Sequence, residues 1–268
     1  MTEWKNKTAL ITGASYGLGE AFAEELAAAG ASLILTARSH DRLESLASRL
    51  SNQHQVEVSI ITADLGETAG AEQIFRETES RKLAVDLLIN NAGFGTVGDF
   101  VDQPLARQLE MIQVNISSLV TLTHLYLPAM LARRSGAILQ VASTASFQGV
   151  PYFAIYGGTK AFVLNFSEAL RVECATKNVR ILTLCPGPTA THFQTVAGTA
   201  NQRSAEKMQS PVEVVRVGLE ALSAGRSHVV SGLNNKIMVL AERLLPRALI
   251  TSVAGRLYRP FSKRSANQ

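Results

Sequence analysis

Tyr156 and Lys160 stand four residues apart in the run Tyr156-Gly157-Gly158-Thr159-Lys160, and Ser143 lies thirteen residues before the tyrosine, at the end of an apolar run. On a helix, side chains four apart share a face. An ammonium can then lie beneath a phenol and favour its ionised form below the free value of about pH 10. A phenol so tuned can trade protons with an alcohol or a carbonyl near neutrality. Thr144 and Ser146 carry the same hydroxyl chemistry as Ser143, but the spacing to Tyr156 favours Ser143.

Directly after the first β-like run comes Thr12-Gly13-Ala14-Ser15-Tyr16-Gly17-Leu18-Gly19, leading into the helical stretch Glu20 to Ala29. Glycines here permit a tight turn and let backbone amides approach a pyrophosphate at a helix N-terminus, where unpaired N–H groups and the helix dipole favour anions. The spacing Gly-x-x-x-Gly-x-Gly departs from the commoner Gly-x-Gly-x-x-Gly. Arg38 and Ser39 follow the second run. A carboxylate there would pair the ribose hydroxyls of NAD, whereas a guanidinium makes charge-assisted contacts with the extra phosphate of NADP, so Arg38 points to NADP(H). Asp41 reads as a residue of the next helix's first turn.

The elements that must position these groups are legible as alternating apolar β-rich and longer amphipathic stretches. Strands are expected at Thr8 to Thr12, Ser32 to Ala37, Val56 to Thr62, Leu87 to Ile89, Ala137 to Val141, Arg180 to Cys185 and His228 to Ser231. This alternation and the right-handed crossover rule predict a single α/β domain over 1–268, a Rossmann-type doubly wound, mainly parallel seven-stranded sheet with helices on both faces. The 46% apolar composition is ample for a sizeable core. Cys174 and Cys185 read as buried thiols, and five scattered histidines give no metal-ligand spacing, so a metal-independent chemistry is expected. The N-terminus shows no signal-peptide pattern, and a cytoplasmic location is expected.

The formal charge of +4 is unevenly placed: residues 203–268 hold eleven Lys plus Arg against four Glu. No nucleic-acid motif accompanies this basicity, and none is expected as a partner. Met238 to Tyr258 is hydrophobic but interrupted by Glu242, Arg243, Pro246, Arg247 and Arg256, which fits two amphipathic helices broken at Pro246 better than a membrane span. The basic extension over 236–268 suits a lid, a subunit contact or a weak membrane-surface contact.

In order and spacing, Thr12 to Gly19, Asn90-Asn91-Ala92-Gly93, Asn115, Ser143, Tyr156, Lys160 and Pro186-Gly187 resemble the short-chain dehydrogenase/reductase family over almost the whole chain. The resemblance implies that Asp64 and Leu65 contact the adenine and that Asn91, Ala92 and Gly93 flank the adenosine ribose. It implies that Ser143 binds the substrate oxygen, Tyr156 exchanges its proton, Lys160 lowers the tyrosine pKa and binds the nicotinamide ribose, and Asn115 holds a water in the proton relay. Pro186-Gly187-Pro188-Thr189-Ala190-Thr191 is similar to the family's Pro-Gly-x-Val-x-Thr, with Thr189 and Thr191 near the carboxamide; Thr189 replaces the usual aliphatic residue. Residues 192–225 are the expected substrate loop.

Together these readings lead to an NADPH-dependent carbonyl reductase, or the reverse alcohol dehydrogenase, and the family resemblance implies a homodimer or homotetramer. Phe94, Val97, Phe100, Phe147, Phe153, His192 and Phe193 are candidates for an apolar pocket suited to a lipophilic carbonyl compound. A non-catalytic NADP(H)-binding redox sensor is the alternative, disfavoured because all four catalytic side chains are present.

Overall fold

Seven apolar runs become the strands of one sheet in the computed structural model, which describes residues 2–198 and 208–258. They are β1 (Thr8–Thr12), β2 (Ser32–Ala37), β3 (Val58–Thr62), β4 (Leu87–Asn90), β5 (Gly136–Val141), β6 (Val179–Cys185) and β7 (His228–Val230). The spatial order is β3-β2-β1-β4-β5-β6-β7, and every pairing is parallel. Strand order reverses between β1 and β4, which opens a crevice at their carboxyl ends.

The connecting helices are α1 (Gly17–Ala28), α2 (His40–His54), α3 (Gly70–Ser80), α4 (Leu105–Ile112), α5 (Ser118–Ala132), α6 (Ala154–Cys174), α7 (Phe193–Ala197), α8 (Pro211–Ser223), α9 (Leu233–Leu244) and α10 (Arg247–Tyr258). Side chains alternate across a strand, and the sheet feeds two cores accordingly. Ala9, Ile11, Leu33 and Leu35 pack with Phe22 and Leu26 of α1 and Val215 of α8. Leu10, Ile34, Leu88 and Ile138 pack with Ile74 of α3 and Leu122 and Tyr126 of α5. Burial on both faces explains why the strands read as continuous apolar runs.

β3 begins two residues later than expected. Gln55 closes α2 in the left-handed conformation, and the Val56 carbonyl accepts from Ser51 Oγ at 2.8 Å, so the chain is still leaving the helix there. Between α4 and α5, residues Gln113–Ser117 form a π-helical turn, an irregularity frequent at functional sites. The helix pair around Pro246 is present as α9 and α10; residues 199–207 of the expected substrate loop and 259–268 of the basic extension lie outside the described residues.

On α9, the Glu242 Oε2 atom is buried without a hydrogen-bond partner among the described residues, and burial pushes its carboxyl up to about 7. The folded state therefore holds its proton more tightly than the unfolded chain, so this group's stabilisation is present below about pH 4.5 and is lost as pH rises through 7. Glu242→Gln is expected to be the more stable protein at about pH 8, by on the order of 1 kcal/mol once solvent access is allowed for, and to show no such advantage at about pH 4. Thermal melting of both proteins across that range checks it.

Candidate active site

Thr12, the last residue of β1, ties the two halves of the crevice together. Its hydroxyl donates to the Ile89 carbonyl at 3.3 Å and accepts from the Asn91 and Ala92 amides at 3.0 and 2.9 Å. Asn91 returns the contact, its Nδ2 donating to the carbonyls of Thr12 at 2.8 Å and Gly13 at 3.2 Å. The glycine loop is thereby fastened to the Asn-Asn-Ala-Gly turn. Gly13 and Gly17 adopt φ of +65° and +60°, a region that L side chains rarely enter. A Cβ on Gly19 would overlap the Gly13 carbonyl and lie 2.7 Å from Asn91 Nδ2. Tyr16, the N-cap residue of α1, makes no side-chain cap bond, so the leading amides of that helix remain available to an anion.

These groups open onto a cavity of about 560 Å³. Gly13, Ser15, Tyr16, Gly17 and Leu18 line one end with Arg38, Ser39, Asp64 and Leu65; Asn91, Ala92 and Gly93 form its floor, and Ser143, Tyr156, Lys160, Pro186, Gly187, Thr189 and Thr191 line the other end. All of these sequence-predicted residues thus meet at one site. Gly19 and Asn115 lie one layer behind it, Gly19 against Gly13 and Asn115 against Gly93.

Ser143 ends the segment after β5, and its hydroxyl accepts from the Ala145 amide at 3.1 Å. Of its two rivals, Ser146 is accounted for, its Oγ buried and donating to the Lys160 carbonyl at 2.8 Å, while Thr144 lines the cavity beside Ser143. Lys160 Nζ donates to the Val141 carbonyl at 2.8 Å and lies 5.9 Å from the centroid of the Tyr156 ring. The lysine is 4% exposed, and burial brings its ammonium down to about 8. Tyr156 is flanked by Phe153 and Phe193, with ring centroids 4.9 and 5.3 Å away. The Asn115 side chain acts as a clamp, Nδ2 donating to the Phe94 carbonyl and Thr159 Oγ1, both at 3.0 Å, while Oδ1 accepts from the Phe94 amide at 3.1 Å. A Cβ on Gly93 would sit 3.0 Å from Asn115 Oδ1 and 3.2 Å from Lys160 Nζ, so both groups converge there because that residue has no side chain.

At the opposite end, Arg38 Nη1 lies 3.9 Å from a carboxylate oxygen of Asp64 and 3.9 Å from one of Glu110, with its side chain 67% exposed. Arg107 pairs with Glu110 at 2.7 Å and covers the Phe94 ring at 3.8 Å. Arg107 and Glu110 are site residues that sequence reasoning missed, since their only local signal is an ion-pair spacing on α4. A second unforeseen feature is a stack: Arg42 lies 3.9 Å over the Tyr16 ring, and Tyr16 stacks on His192 at 4.9 Å.

Of the apolar-pocket candidates, Phe94, Phe153, His192 and Phe193 line the cavity, and Val97 packs behind them. Phe100 does not: it is 57% exposed beside α4. Phe147 packs instead in the cluster of Ala142, Val163 and Val230, near His228. Both thiols are free and buried, and no cluster with metal-ligating potential occurs among the described residues.

A dinucleotide-binding sheet with a Tyr/Lys pair at the edge of its crevice places the molecule among nucleotide-dependent α/β oxidoreductases. The chain belongs to the short-chain dehydrogenase family, whose model matches residues 7–202. It is 36% identical over 199 residues to hydroxysteroid dehydrogenase-like protein 1 of Gallus gallus, covering 73% of this chain and 60% of that protein's length. It is 32% identical over 255 residues to very-long-chain 3-oxoacyl-CoA reductase-A of Danio rerio, covering 93% and 79%. A short-chain dehydrogenase from Sphingobium yanoikuyae in complex with NADPH superposes with a TM-score of 0.80 at 29% identity, over 97% of this chain and 99% of that one.

Proposed function

We propose that the protein is an NADPH-dependent oxidoreductase that reduces the carbonyl of a lipophilic ketone, aldehyde or acyl compound, or oxidises the corresponding alcohol. The observation that carries this reading is the convergence of Ser143, Tyr156 and buried Lys160 on the cavity that the glycine loop enters. The loop and the amides of α1 would hold the pyrophosphate, Asp64 and Leu65 the adenine, Lys160 the nicotinamide ribose, and the Pro186–Thr191 segment the carboxamide. When bound, the nicotinamide supplies or accepts the hydride.

The chain's own groups handle the oxygen. Ser143 Oγ hydrogen-bonds the substrate oxygen and fixes its direction. Tyr156 passes it a proton during reduction and takes one during oxidation. Lys160, held by the Val141 carbonyl, keeps a positive charge behind the phenol as negative charge develops there. Because the Asn115 side chain is committed to Phe94 and Thr159, any part of this residue in carrying the proton onward falls to its backbone in the π-helical turn.

The walls favour an apolar substrate: Phe94, Phe153, Phe193 and Val196 surround the end where Tyr156 sits. A relative named as a very-long-chain 3-oxoacyl-CoA reductase acts on a carbonyl of that kind. An NADPH-oxidation screen over steroid ketones, aldehydes, quinones and 3-oxoacyl thioesters tests the reading; absence of turnover across these classes would overturn it. Pairing of two copies through α5 and α6 belongs to the same reading, with Phe162 and Val172 of α6 exposed at 39% and 70%.

Cofactor preference rests on Arg38. Its two ion pairs are long and exposed, so they hold it weakly, and a phosphate on the ribose offers shorter, charge-assisted contacts. Arg38→Leu is expected to raise KM for NADPH by about 10- to 100-fold, the equivalent of losing about 1.5–3 kcal/mol of charged hydrogen bonding, with little change for NADH. Steady-state kinetics with both cofactors decide it, and equal effects on the two would refute the NADP(H) assignment.

A further inference from the structure

The outward face of α9 is apolar where a surface helix is ordinarily polar. Leu233, Ile237, Leu240 and Leu244 recur at helical spacing along one stripe, 71%, 58%, 59% and 79% exposed. The opposite face packs inward: Val239 is buried with Cys185 and Val230, and Asn235 abuts Gly187 of the Pro-Gly turn while donating to the Ser231 carbonyl at 2.7 Å. α10 continues the exposed surface with Leu249 and Val253, burying Ile250 and Ala254. Its inner side meets the segment before Tyr156, Gly255 lying against Pro151 and Thr251 against Gly149.

The exposed charges that α9 and α10 themselves carry are of one sign. Helical spacing puts Lys236 and Arg243 along one border of the stripe, and Arg247 and Arg256 stand in the first and last turns of α10. From 233 to 258 the acidic residue is Glu242, whose Oε2 is turned inside. The chain continues through Arg259, Lys263 and Arg264 with no acidic residue. An apolar stripe bordered by cations matches a surface that is apolar below and anionic above. A second copy of the same face would supply the same cations and no exposed carboxylate to pair them.

We propose that α9 and α10 dock the protein on an anionic phospholipid surface, with Leu233, Ile237, Leu240 and Leu244 in the acyl boundary and Lys236, Arg243 and Arg247 among the headgroups. The inference is independent of the substrate and of turnover. It places the lipid surface on the outer side of the two helices that back the Pro-Gly turn and the approach to Tyr156.

Sedimentation of the full chain with phosphatidylcholine vesicles, and with vesicles containing about one quarter phosphatidylserine, tests it. Binding is expected to the mixed vesicles and to weaken as salt is raised. Leu240→Glu/Leu244→Glu and, separately, Lys236→Glu/Arg243→Glu should each lower partitioning by about tenfold or more. These positions are exposed, and unchanged thermal melting will show that the variants fold. Failure of the unmodified chain to bind the mixed vesicles overturns the proposal, as does undiminished binding by either folded variant. A solution mass that drops in Leu240→Glu/Leu244→Glu, without vesicle binding by the parent, assigns the face to a second copy and also overturns it.

Discussion

Replacing Tyr156 with phenylalanine is expected to lower kcat by about 10²- to 10⁴-fold, the usual worth of a positioned proton donor, while leaving NADPH affinity nearly unchanged. The two effects separate because the ring and the hydroxyl have different tasks. The ring is packed: Phe153 and Phe193 flank it, and Gly95 approaches so closely that a Cβ there would lie 3.0 Å from the tyrosine Cδ2. Phenylalanine preserves that packing and removes only the oxygen. Steady-state turnover with a substrate found in the carbonyl screen, set beside fluorescence titration with NADPH, reads both quantities. Turnover retained at the parental rate would falsify the proton-transfer role, and loss of cofactor binding would mean that the oxygen serves the cofactor instead.

Gly19→Ala should be the most damaging single methyl group in the cofactor loop. The added carbon would overlap the Gly13 carbonyl oxygen and press on Asn91 Nδ2, two groups already joined by a 3.2 Å hydrogen bond. Neither can yield without moving the fastening between the glycine loop and β4. A cost of about 1–3 kcal/mol in stability is expected from overpacking. Displacement of the loop from the helix N-terminus should weaken NADPH binding by about tenfold or more. Gly158→Ala is the internal comparison: it sits in α6 with nothing within 4 Å of the added carbon, so helix propensity alone should make it neutral or more stable by up to about 1 kcal/mol. Denaturant melts and cofactor titrations of the two alanine variants decide the matter; equal behaviour would show that the loop accommodates the methyl group.

Much of this arrangement was legible because its causes are local. Strands buried on both faces must be apolar throughout, so β1, β2 and β4 stand out as runs. The glycine loop and the Tyr156/Lys160 spacing are fixed by backbone approach and helix period, which short stretches of sequence encode. The less legible features depend on residues far apart in the chain. Arg38 meets Glu110 only because the fold brings α4 beside the residue that follows β2, and Arg42 reaches His192 only through Tyr16. Phe100 and Phe147 look like pocket residues by position, but the first faces outward and the second fills a separate core cluster. Asn115 lies in a π-helical turn, which does not follow from composition.

The hydrogen bond from Ser146 to the Lys160 carbonyl joins the segment after β5 to α6, and Lys160 Nζ returns to the Val141 carbonyl. The two polypeptide segments that carry Ser143 and Tyr156 are thus riveted to each other from behind, by atoms that need not meet any substrate. Of the aromatic walls, Phe153 stands at the head of α6 itself, whereas Phe94 comes from the turn after β4 and Phe193 from α7. Alignment of the reacting groups therefore rests on hydrogen bonds that residues 192–198 do not make, although Phe193 of that stretch packs on the Tyr156 ring. A graft exchanging residues 192–198 that keeps an aromatic ring at position 193 is expected to change which compound is accepted without re-aiming the proton.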